Sequence, residues 1–320
     1  MKNSIRKWLS VLIPVALGGF LILYTYNKFT LTQLEEIKQQ FRDADYFYIW
    51  ISLCFGVISM ISRAFRWRYT LEPLGYKPKF SNSFMAVCIA YFMNMTIPRS
   101  GEVSRALVLK KYEDIPFDKG FGTIVAERMV DAFFLLFLIF LVFFIQYDVV
   151  KTFILDKISI KQLGILGILG MVLLIATFLF FRYSKAKIVR IIKQKISGFS
   201  EGFTSIIKMK KKGAFFFHSF LIWFCYLFMF YITIFALPET SKLGFEAVIT
   251  AFVVGGIAIT ITNSGFGAYP FVISKILLVY QIAETSGNAF GWITWTSQTL
   301  MMVFLGTLSF LFLPLLNKNK

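Results

Sequence analysis

Histidine is nearly absent from this 320-residue chain and cysteine is scarce: one His and three Cys. Cys54, Cys88 and Cys225 fall in separate apolar stretches with no CxxC pair. No zinc site, redox dithiol or disulfide framework is therefore legible, and all three read as small core residues. His218 has no acidic neighbour in sequence and reads as a packed or headgroup-facing side chain rather than a metal ligand. HExxH, the phosphate-binding glycine loop of nucleotide enzymes and a Ser/His/Asp set are all missing, which removes the common hydrolase and ATPase classes. No cofactor is expected, and any transport would be downhill or ion-coupled. Acids are also few, 17 Asp and Glu against 34 Lys and Arg, for a net charge of +17. Nucleic acid would be one reading of that excess, but no recognition-helix pattern accompanies it. The basic residues instead lie in short loops between apolar runs, the pattern of loops that face anionic lipid.

What the chain has in quantity is hydrocarbon: 57% apolar residues and 39 phenylalanines. Apolar segments occur at about 8–26, 47–62, 81–97, 121–146, 162–181, 213–237, 245–262 and 288–316. Lys2, Arg6 and Lys7 precede the first, which is too long for a signal-peptide core and is followed by no cleavage site, so it is expected to be retained. Segment 182–212 carries ten Lys and Arg against one acid, Glu201. Eight full crossings from a cytoplasmic N-terminus would put that segment outside, against the positive-inside rule. Letting 81–97 turn back at the Asn94–Gly101 break returns it inside. A second turn-back at Asn263–Pro270 brings Lys318 and Lys320 inside as well.

The expected architecture is thus a single all-α polytopic membrane domain over 1–320, with six crossings and two opposed re-entrant hairpins, at about 81–120 and 245–285. Interrupted apolar segments in corresponding halves point to an inverted repeat with a central binding site. In the basic loop, Ile188, Ile191, Ile192, Ile196, Phe199, Phe203 and Ile206 recur at helical spacing, which fits an interfacial helix or a plain connector.

Residues 91–131 set a polar, charged stretch inside this apolar sequence. Ionisable groups at membrane depth cost roughly 2.5–3.5 kcal/mol each on insertion scales, so they mark candidate sites. Asn94, Pro98, Arg99, Gly101, Glu102 and Arg105 interrupt the third segment. Proline removes a donor, glycine permits unusual torsions, and helix ends made at depth present free amides. Arg99 and Arg105 add forked donors suited to phosphate, with Glu102 balancing Arg105 at i+3 or taking part in ion coupling. Glu127 and Asp131 share a face at i and i+4 beside Arg128, either as a salt-bridge knot with Arg63, Arg66 or Arg105, or as part of a proton or headgroup path. Arg63–Trp67 reads first as an interfacial anchor. Asn263, Gly265 and Gly267 line a pocket or permit close packing.

The run Asn94–x–x–x–Pro98–Arg99–x–Gly101–Glu102–x–x–Arg105, followed by Glu127–Arg128–x–x–Asp131, resembles the flippase-like integral membrane domain of lysylphosphatidylglycerol synthases. Arg63–x–x–Arg66–Trp67 and the late glycine-rich break fit the same pattern. Where that family commonly has a Pro-Gly-Gly-type turn and an acidic residue, this chain has Gly265–Phe266–Gly267–Ala268–Tyr269–Pro270. The resemblance implies movement of phospholipids or polyprenyl-linked lipids across the bacterial plasma membrane, with both termini cytoplasmic. It also implies that the aminoacyltransferase activity of two-part synthases is not expected of this chain. The implied partners are lipids with anionic headgroups and, in the alternative of an accessory subunit, a separate lipid-modifying or glycosyl-transferring enzyme. Lipid identity, direction and oligomeric state are not legible.

Overall fold

The computed structural model describes residues 16–147 and 208–318, with Leu179 alone between them. The start of the first apolar segment, the 162–181 segment, the interfacial-helix reading at 188–206 and most of the basic loop lie outside the described residues. All regular structure among the described residues is helical. In chain order it comprises α1 (16–28), α2 (Leu31–Asp43), α3 (Tyr46–Leu71), α4 (Phe80–Thr96) and α5 (Ser100–Tyr112). There follow α6 (Phe117–Ile145), α7 (Lys212–Thr233), α8 (Phe245–Ile261), α9 (Ala268–Val279) and α10 (Glu284–Leu316).

Four of these helices are long and apolar enough to cross a membrane: α3, α6, α7 and α10. On α6, Phe133, Leu136, Phe137, Phe140 and Phe144 are all more than half exposed, an outward stripe that suits lipid and not water. By contrast α4, α5, α8 and α9 have 17, 13, 17 and 12 residues. Each falls short of the roughly 20 residues that a crossing needs. They pair instead as two hairpins.

Local chemistry makes each turn. In the first, Asn94 accepts a hydrogen bond from the Gly101 backbone N–H at 2.7 Å, and Ser100 donates to the Met93 and Ile97 carbonyls at 2.8 Å each. Arg99 caps α5 in the left-handed region, φ 60°. In the second, Ser264, Gly265 and Gly267 all have positive φ, and the Trp295 indole donates to the Ser264 carbonyl at 2.8 Å.

The two hairpins point at each other. α3 spans 26 residues, about 39 Å at 1.5 Å per residue. At its start Ile49 packs with Ile276 and Leu277 beside the open end of the α8–α9 hairpin. At its far end Trp67 and Leu71 pack with Ala86, Ala106 and Leu109 of the α4–α5 hairpin. α10 repeats this: Glu284 bonds Lys275 at one end, and Asn317 exchanges hydrogen bonds with Asn82 at the other. Between the ends the tips touch, Asn263 donating to the Met95 carbonyl at 3.1 Å and Ser264 to the Asn94 carbonyl at 3.2 Å. The chain is an all-α polytopic membrane protein in which two helical hairpins enter from opposite ends.

Glycine is indispensable at Gly101, where a Cβ would collide with the Ala90 carbonyl oxygen on α4. Gly101→Ala is expected to splay the first hairpin and cost about 1–3 kcal/mol of stability, read as a lowered melting midpoint in detergent.

Candidate functional site

One face of the molecule's interior gathers nearly all the charged residues singled out in the sequence. α3 carries Arg63, Arg66 and Trp67 at i, i+3 and i+4, so they share a helical face. α6 sets Glu127 and Asp131 opposite them, and α5 brings Glu102 and Arg105. Asp131 is the hub: it binds Arg63 at 2.9 Å, Arg66 at 2.6 Å and Arg128 at 3.5 Å. Glu127 binds Arg105 at 2.8 Å and lies 3.6 Å from Arg66. Arg105 stacks 3.6 Å from the centre of the Trp67 ring, and that indole donates to Thr123 at 2.9 Å. Arg63 also donates to the Tyr226 hydroxyl at 3.0 Å, which lies 2.6 Å from that of Tyr91, and Arg66 donates to Ser219 at 3.2 Å.

These contacts tie five helices together. Buried charges cost several kcal/mol each in desolvation, offset only where partners are close and well aligned. Here the offset is incomplete by design of the count. Arg63, Arg66, Arg105 and Arg128 face three carboxylates, which leaves one positive charge among the described residues of the cluster.

Beside the cluster lies a cavity of about 410 Å³, a size within the range of ligand sites. Arg63, Arg128 and Asp131 form its charged wall with Tyr91 and Tyr226, and Trp223, whose indole N–H has no hydrogen-bond partner, lies on it too. Methionine, phenylalanine and isoleucine from α3, α7, α8 and α10 make up about half of the remainder, and Ser59, Thr260 and Gln298 are its polar side chains apart from the Tyr269 hydroxyl. The cavity therefore has one cationic, hydrogen-bonding wall and an apolar body, the two halves of an amphiphile. Arg128 is the accessible guanidinium, with 41% of its side chain exposed against 0–3% for Arg63, Arg66 and Arg105.

Several expectations need correction. Arg63–Trp67 is no interfacial anchor: Arg66 and Trp67 are completely buried because α6 supplies carboxylates and Thr123 to meet them. The helix accordingly continues to Leu71, beyond the segment end read at 62. Glu102 does not balance Arg105 at i+3; it binds Arg128 at 3.2 Å, and Arg105 turns to Glu127. Cys54 is exposed, while Cys88 and Cys225 are buried. His218 packs between Ser62, at 2.9 Å, and the ring of Phe65.

Of the other residues singled out, Arg99 is exposed at the tip beside Pro98 and away from the cavity lining. Asn94 and Asn263 join the two tips, Gly265 takes φ 79° in the second turn, and Gly267 abuts the Gly18 carbonyl on α1. Sequence reasoning missed Tyr91, Tyr226 and Trp223. Aromatics inside apolar helices carry no signal that separates a cavity wall from a packed core. No group of three or more potential metal ligands occurs among the described residues.

The sequence matches the family described as the lysylphosphatidylglycerol synthase TM region over residues 11–306. Over 93 residues it is 32% identical to UPF0104 membrane protein MJ1595 of Methanocaldococcus jannaschii, a stretch that covers 28% of each chain. Over 130 residues it is 28% identical to glycosyltransferase AglD of Haloferax volcanii, 40% of this chain and 21% of that protein. The matched stretches thus span less than a third of either relative's length. No solved structure matches. Because the family match runs through both hairpins and the arginine cluster, the chain belongs to the lysylphosphatidylglycerol synthase TM-region family.

Proposed function

We propose that this protein is a lipid translocase that moves an anionic phospholipid or polyprenyl-linked lipid across the plasma membrane, without covalent chemistry on it. One observation carries the reading: between two opposed hairpins lies a cavity with an apolar body and a charged wall whose cluster retains one positive charge. A headgroup phosphate pairs with Arg128, while the acyl chains stay against apolar surface and lipid. Arg63 and the Tyr91–Tyr226 pair complete the headgroup contacts, and Arg66, Arg105 and Glu127 hold the wall in place. The ends where α3 finishes and the α4–α5 hairpin opens face the cytoplasm, with both chain termini.

The experiment is movement of a panel of labelled lipids in proteoliposomes. Rapid movement that depends on headgroup supports the reading. Absence of movement above empty liposomes, for every phospholipid and polyprenyl phosphate tried, favours an accessory subunit that serves a separate lipid-modifying or glycosyl-transferring enzyme. The match to a protein named as a glycosyltransferase is what keeps that second reading in play. Orientation has its own test: single cysteines placed at 98–120 are expected to resist a membrane-impermeant thiol reagent added to intact cells. Strong labelling there would invert the topology.

A further inference from the structure

At the other end of α10, away from the arginine cluster, three helices bring together a second set of charges. Lys28, at the end of α1, donates to both oxygens of Glu284 at 2.9 and 2.7 Å. Lys275 of α9 donates to the same carboxylate at 2.6 Å. One carboxylate thus serves two ammonium groups whose side chains remain 42% and 33% exposed.

One turn along each of these helices lie residues that line a separate cavity of about 230 Å³: Thr25, Phe271 and Asn288. The triad therefore lies one helical turn from that cavity on each of the three helices, and Leu34 and Ile37 of α2 close part of the cavity wall. Asn288 is 4% exposed and its amide nitrogen has no hydrogen-bond partner. Buried donors are nearly always paired, so an orphan facing a cavity marks a place where something other than protein accepts the bond. Most of the remaining wall is apolar or aromatic, including Trp292. The space exceeds the roughly 150 Å³ cavity that holds a benzene-sized guest.

We infer that the Lys28–Lys275–Glu284 triad and the adjoining cavity form a second lipid site, selective for an anionic phospholipid. The phosphate sits between the two ammonium groups, part of an acyl chain fills the apolar cavity, and an ester carbonyl accepts from Asn288. A soluble anion would satisfy the lysines and leave the apolar walls empty. A zwitterionic lipid brings its own cation to a triad that already carries an excess of positive charge. The site does not rest on the translocase reading, since a member that moved no lipid would present the same groups.

Trp292 in the wall supplies the readout. The full chain is reconstituted in phosphatidylcholine nanodiscs containing increasing fractions of phosphatidylglycerol brominated along its acyl chain, with brominated phosphatidylcholine as the comparison. Bromine quenches indole fluorescence on contact, and Trp292→Phe isolates this residue's share among the six tryptophans. The expected result is that the share of quenching lost in Trp292→Phe, which reports this cavity and not Trp223 in the first one, sets in at a lower fraction of the anionic lipid, and that this preference persists in Arg128→Ala. Lys28→Ala and Lys275→Ala should each raise the fraction needed roughly fivefold. Glu284→Gln, which frees both lysines, should lower it, a gain that misfolding does not produce. Equal quenching of the Trp292 share by the two lipids, a preference in that share that survives loss of both lysines, or a weaker one in Glu284→Gln would each overturn the assignment.

Discussion

Arg128→Ala is expected to slow headgroup-dependent lipid movement by about ten- to a hundredfold, the loss of one or two hydrogen bonds to a charged group worth about 1.5–3 kcal/mol. Arg128 is the accessible guanidinium on the cavity's charged wall, and removing it also takes away the cluster's excess positive charge. The effect should fall mainly on anionic lipids. Lysine at this position keeps the charge but not the planar fork, so Arg128→Lys should recover only part of the rate. Arg99→Ala is the informative control, because Arg99 is exposed at the hairpin tip and does not line the cavity. Rates measured in proteoliposomes should leave Arg99→Ala within a few-fold of the parent. An equal loss in both variants would move the headgroup contact to the tip and away from the cavity.

Asp131→Ala should be the most damaging single change to stability. Three arginines share this carboxylate, two of them almost wholly buried, and its loss leaves them facing one another without compensation. Removing one partner of a buried ion pair costs about 3–5 kcal/mol. Thermal denaturation in detergent is expected to show a midpoint lower by roughly 5–10 °C, with Asp131→Asn falling between variant and parent because the amide still accepts one hydrogen bond. A midpoint unchanged in Asp131→Ala would mean that the arginines find other partners or water, and that the knot is not what holds α3 to α6. Neither variant should be rescued by high salt, since pairs this deeply buried are poorly screened.

Much of this architecture was legible because hydrocarbon and charge obey simple counting rules. The excess of lysine in 182–212 forces the 81–97 segment to turn back, and the structure has a hairpin there, turning at Ile97–Arg99. The Asn263–Pro270 break predicted the second hairpin on the same grounds. The knot that joins Asp131 to Arg63 and Arg66, and Glu127 to Arg105, was one of the two readings that spacing left open. What did not follow was who pairs with whom. Glu102 and Arg105 are three apart and looked like partners, yet the approach of α6 gives each a better one, Arg128 and Glu127. Pairing across helices depends on their relative rotation, which spacing within one helix does not encode. For the same reason Arg63–Trp67 passed for a surface anchor, and Tyr91 and Tyr226 passed unnoticed.

The contact between the two hairpin tips has an electrical consequence. It is a seam made of two side-chain hydrogen bonds to backbone carbonyls, Asn263 to Met95 and Ser264 to Asn94. Where polar cavities reach toward such a seam from either side, the transmembrane voltage falls across the seam and not across the full bilayer. A charged headgroup passing it would cross most of that potential over a short distance, and each elementary charge is then worth about 2.3 kcal/mol per 100 mV. On the translocase reading, a potential negative inside would favour outward over inward movement of a monoanionic lipid across this seam.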